Sequence, residues 1–224
     1  MLQVIGEILP EALAIAFNPA AVIVVILLLI SQRGKNKALA YLLGWLIGLS
    51  ALCYVVYLMM EAIRSPRWGL PHRFSGLQLL LGLLFIAMAI YEFRLIPRQK
   101  QNEPPRYKWL DKLDDFTLLE VFAVAAAMAG LNLKNAGLVL SASTSLWNSG
   151  LYSAPPWVIF TVFPLLGSMP IIVPVLYGYM RGPQAQGRLS EWRDWLLINN
   201  ALVLFVLFLF LGAKLIGAGL IGLK

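Results

Sequence analysis

A chain of 224 residues that is 60% hydrophobic and only 13% charged departs from a soluble domain, which is about half apolar and a quarter charged. Its mean hydropathy of +0.77 places it among integral membrane proteins. The pI near 9.7 does not indicate nucleic acid, because Lys and Arg lie in short loops flanking apolar runs, as the positive-inside rule produces.

The chain opens without a basic n-region, and its first apolar run is too long for a signal-peptide core, so no removable leader is expected. Six apolar spans follow, near Ile8–Ile30, Ala38–Met60, Leu77–Phe93, Leu118–Trp147, Pro156–Met180 and Trp195–Gly217. Each approaches or exceeds the ~20 residues that a hydrocarbon core demands.

Inside the first span, Asn18-Pro19 is a helix-start signal in the middle of a membrane crossing: Asn caps, and Pro occupies the first turn. One half-helix should end and another begin there. The second span carries Gly44-x-x-x-Gly48, a pattern that lets helices approach closely.

The loop after the third span, with Glu103-Pro104-Pro105, is the main linker. Apolar residues from Tyr107 to Phe116 alternate there with charged ones, fitting a short amphipathic helix on the inner membrane surface or a solvated connection.

The fourth span is too long for one straight crossing, since 30 residues reach about 45 Å. Asn132, within Leu131-Asn132-Leu133-Lys134-Asn135, would divide it as Asn18 divides the first. Pro164, Pro170 and Pro174 should kink the fifth span. Before the sixth, Ser190 reads as an N-cap with Glu191 and Asp194 in the following turn, and Trp192 and Trp195 are set to anchor among headgroups.

Cutting at the linker gives residues 1–97 and 117–224 as two three-span halves, joined by residues 98–116. An odd span number makes the second half inverted, and Leu46 to Ser50 resembles Leu165 to Met169 in the paired second and fifth spans, a repeat weak in sequence but coherent as a pattern. The fold expected is all-α and integral to the membrane, with six helices as two inverted repeats and broken first and fourth helices. Three alternate loops hold twelve Lys and Arg against four on the other side, so the linker should be cytoplasmic and both termini outside.

The expected site lies where the breaks meet. Helix N-termini carry positive partial charge, and Lys134 adds a full one near Asn18, Pro19, Asn132 and Asn135. Together these describe a site for an anionic group; alternatively, the asparagines cap kinks and Lys134 reaches to the surface. Glu11 and Glu120 lie upstream of the two asparagines, as groups that would bind protons if buried and would otherwise be exposed.

Enzymatic roles find no support. The single Cys53 gives no redox pair, and the single His72 lies in a loop, so no Ser/His/Asp set can be assembled. No metal-ligand spacing and no GxxxxGK[ST] loop occurs, so neither cofactor nor metal is expected.

The mid-span Asn18-Pro19, the Asn132-Leu133-Lys134-Asn135 motif, and the closing stretch from Trp195-Leu196 through Asn200 to Gly212, Gly217 and Gly219 resemble one family. It is the GAP/Sap family of glycolipid- or sulfolipid-addressing proteins, within the lysine-exporter (LysE) superfamily. Leu133 stands where relatives usually have proline. The resemblance implies export or flipping of an amphiphile across a bacterial inner membrane, with a lipid as substrate and a second copy or a larger export machine as partner. An amino-acid-type exporter and a non-transporting accessory subunit are the alternatives.

Overall fold

The computed structural model describes residues 2–31, 34–64, 75–101, 115–151 and 158–222. Most of the expected amphipathic helix at 107–116, and His72, lie outside them. The described residues are all-helical.

Helix α1 (Leu2–Ala16) meets α2 (Pro19–Ile30) at a 57° bend, and α5 (Leu118–Gly130) meets α6 (Leu133–Asn148) at 51°. Between the two pairs lie α3 (Gly34–Arg64) and α4 (Ser75–Gln101). The fifth apolar region is a π-helical turn (Val158–Val162), a short α7 (Phe163–Gly167) and α8 (Met169–Arg181). A 3₁₀ turn at Gly182–Ala185 leads into α9 (Gln186–Gly222). By length and composition, three described helices can cross a membrane, or up to five if each bent pair counts as one span.

Two expectations change. Ser190 caps nothing, because α9 has already begun at Gln186 and runs 37 residues without a break. The 3₁₀ turn, opened by Gly182 at φ +56°, supplies the reversal that a fresh cap would otherwise provide. Likewise α4 does not stop near Phe93 but continues through Pro97 to Gln101. A proline this close to a helix end removes one hydrogen bond in a turn where few remain.

The prolines of the fifth region break it rather than merely bending it. Pro164 and Pro170 occupy the first turns of α7 and α8, with Ser168 between the two helices. Pro164 has no N–H for the carbonyl of Phe160 one turn back, and the Ser50 hydroxyl of α3 donates to that oxygen at 3.1 Å. At the second break the Ser168 N–H turns toward the carbonyls of Pro164, Leu165 and Leu166, and its hydroxyl donates back to Pro164 O at 2.6 Å.

Close packing rests on small residues. A Cβ at Gly44 or Gly48 would collide with the backbone carbonyls of Phe122 and Ala126, so α3 and α5 touch backbone to backbone. At Gly82 and Gly212 α4 and α9 do the same, aided by stacked Phe85 and Phe208 with centroids 5.9 Å apart. Leu80, Leu83, Leu84, Val206 and Phe210 on these two helices remain exposed, the outward apolar coat of a membrane protein.

Candidate functional site

The two breaks use one local device. Asn18 accepts from Ala21 N at 3.4 Å and caps α2, with Pro19 in its first turn; Asn132 accepts from Lys134 N at 2.9 Å and caps α6. Leu133 begins α6 without a proline, so the asparagine cap suffices for the bend.

The breaks also touch each other. Lys134 Nζ donates to Phe17 O at 3.3 Å, placing a cation at the carbonyl end of α1, where the helix dipole favours it. Lys134 is partly buried, and Glu92 of α4 acts on it electrostatically. Asn135, fully buried, donates from Nδ2 to Ala129 O at 2.9 Å and so satisfies a carbonyl freed at the end of α5. Its Oδ1 has no hydrogen-bond partner among the described residues.

Around the first break lies a cavity of about 410 Å³. Phe17, Asn18, Pro19, Val22 and Ile26 wall one side, Met169, Pro170, Val173 and Pro174 of α8 another, and Trp192, Trp195 and Leu196 of α9 the third. Asn18 is the polar exception in an otherwise apolar lining. Neither Asn132 nor Lys134 lines it; Lys134 reaches it only through Phe17. A second cavity of about 470 Å³, between Ser31, Lys35 and Asn36 on one side and Gly182 to Gln186 on the other, holds none of the expected site residues.

The two glutamates have different settings. Glu120 is exposed and closes a capping box with Thr117: its carboxylate accepts from Thr117 N at 2.7 Å, and Thr117 Oγ1 accepts from Glu120 N at 3.3 Å. Glu11 is fully buried. Lys214 Nζ of α9 donates to its two oxygens at 3.0 and 3.1 Å, and Ser141 Oγ of α6 donates to Oε1 at 2.8 Å. Lys214 also reaches Glu7 O at 3.4 Å.

Sequence reasoning passed over Lys214, although a lysine deep in an apolar span is itself the signal. It also missed the Thr117–Glu120 box, legible as T-x-x-E before an apolar run. Trp192 and Trp195, expected as headgroup anchors, both wall the cavity, a role that the sequence did not suggest.

Described residues that are all-helical, with apolar spanning helices, bent apolar helix pairs and a largely apolar cavity at one bend, define a multi-pass membrane protein. Over residues 8–221 it matches the family described as Sap, sulfolipid-1-addressing protein, and the chain belongs to that family. No curated protein and no solved structure matches it.

Proposed function

We propose that this protein moves an amphiphile with an anionic headgroup across the cytoplasmic membrane, its apolar chain lying in the cavity at the first break. One observation carries the reading: about 410 Å³ of nearly unbroken apolar wall ends at the capped N-terminus of α2. Apolar walls suit an acyl chain, and the positive end of a helix suits a phosphate or sulfo group. The family's description names a sulfolipid, which combines the two. An amino-acid-type exporter would need more polar lining than Asn18 supplies.

The architecture proposed with it is six crossings in two inverted halves. A pair of contacts favours this: Gly48 of α3 abuts Ala126 O, and Gly167 of α7 has Ala12 O within 3.5 Å of its Cβ position. Ala126 and Ala12 each lie six residues before the asparagine of their break. With the linker cytoplasmic, α2, α8 and the start of α9 face the inner leaflet, and the cavity would load from there.

Val173→Trp would fill the cavity from α8, where no backbone hydrogen bond is at stake. In proteoliposomes carrying fluorescent tail-labelled phosphatidylglycerol, the wild type should expose inner-leaflet probe to an external quencher, and this variant should lose most of that activity while keeping its melting temperature. Absence of flipping by the wild type would leave the accessory role; undiminished flipping by the variant would remove the cavity from the path.

A further inference from the structure

The Glu11–Lys214–Ser141 cluster lies across the break from the cavity. Seven residues separate Glu11 from Asn18, about 10 Å along α1 away from α2. The cluster joins α1, α6 and α9, and two of these, α1 and α9, also contribute cavity wall. An event that loosened it would be felt at the cavity.

Stability does not account for it. Removing two charges from water costs several kcal/mol per ion, and replacing such a pair by well-packed apolar residues is often neutral or better. The site nevertheless satisfies its carboxylate with three donor contacts from two helices. Neutralising the carboxylate would remove the charge that holds Lys214 and leave only neutral hydrogen bonds between the helices.

We propose that Glu11 is a proton-binding site, and that its protonation frees Lys214 and parts α1 from α9 on the side of the break away from the cavity. This rests on the transport reading above and adds the coupling ion. One proton binds a carboxylate oxygen; Glu11 turns neutral and Lys214 keeps its charge. The lysine side chain is 26% exposed, so it has a way out of the core that Glu11, at 0%, does not.

The nearest other described carboxylate is that of Glu7, one turn before Glu11 on the same face of α1, whose carbonyl also accepts from Lys214. Lys134 stands at the far end of α1 on Phe17 O. From α6 comes Ser141 and from α9 Lys214. Helix α7 has no titratable side chain, while Tyr177 and Tyr179 of α8 are engaged by Trp192 and Lys35, and Arg181 lies in its last turn.

Spin labels at Gln3→Cys and Leu220→Cys, in a Cys53→Ala background, report the separation of α1 and α9. Acidification should add a longer distance to the wild-type distribution, and Glu11→Gln, a neutral mimic, should show that distance at alkaline pH as well. An unchanged wild-type distribution from alkaline to acid pH overturns the proposal, as does a Glu11→Gln protein that stays closed and keeps the acid response. In the proteoliposomes, flipping of the labelled phosphatidylglycerol should accelerate under a proton gradient in wild type, and Glu11→Gln should lose that acceleration. Labels that move without any flipping uphold the proton site and defeat the transport reading. Flipping that ignores the gradient, with labels that stay still, defeats the proton site alone.

Discussion

The two broken spans are alike in backbone and opposite in charge. Both bend by more than 50°, both restart on an asparagine cap, and both rest a carbonyl six residues earlier near a glycine of another helix. Yet at seven residues before the cap one has Glu11 and the other Ala125, and two residues after it one has Ala20 and the other Lys134. The acid of the first span is matched by a lysine from α9, and the lysine of the second by a carbonyl from the first. The break is therefore a structural device that each half fills with its own chemistry, and a charge at one break does not imply a counterpart at the other.

The largest test of that asymmetry is to strand its charge. Lys214→Met leaves Glu11 buried with only Ser141 as donor and should cost about 3–5 kcal/mol, read as a lowered melting temperature in detergent. Adding Glu11→Leu should recover most of the loss, because the stranded charge goes with it. A Lys214→Met protein as stable as wild type at neutral pH would mean that Glu11 sheds its charge by binding a proton or reaches water.

A smaller difference separates the two glycine contacts. At Gly48 a methyl would meet the Ala126 carbonyl, part of a helix backbone that cannot yield, so Gly48→Ala should cost about 1–3 kcal/mol. At Gly167 the nearest atom is Ile15 Cγ2 at 3.0 Å, a side chain that can turn, and Gly167→Ala should cost under about 1 kcal/mol. Equal losses on thermal denaturation would show that both contacts are equally rigid.

Much of this was legible in the sequence, and the exceptions have physical causes. The breaks were readable because Asn within an apolar run has few uses other than capping, and the Gly44–Gly48 seam because its spacing places both on one helix face. The start of α9 was misread because Ser190 resembles a cap, and only the preceding 3₁₀ turn shows that Gln186 already occupies the first turn. The Glu11 site was half visible: burial of the acid depends on which residue of α9 faces it, and a partner 203 positions away leaves no local pattern. The cavity, where the first break meets α8 and α9 from the far end of the chain, had no signature beyond Asn18-Pro19.

The smallest prediction concerns the residue in which the two breaks differ most plainly. Leu133 is the first residue of α6, is 88% exposed, and follows Asn132 at φ −80° and ψ 118°, a conformation a residue before proline readily adopts. The amide at the first helical position has no intrahelical acceptor, so a proline there removes no helix bond. Leu133→Pro should therefore stabilise the protein by about 0.4–1 kcal/mol, by restricting the unfolded chain, and Pro19→Leu should cost a similar amount. Both are small shifts in melting temperature measured side by side. If Leu133→Pro destabilised instead, the second break would differ from the first in backbone as well as in charge, and the likeness of the two spans would end at their asparagines.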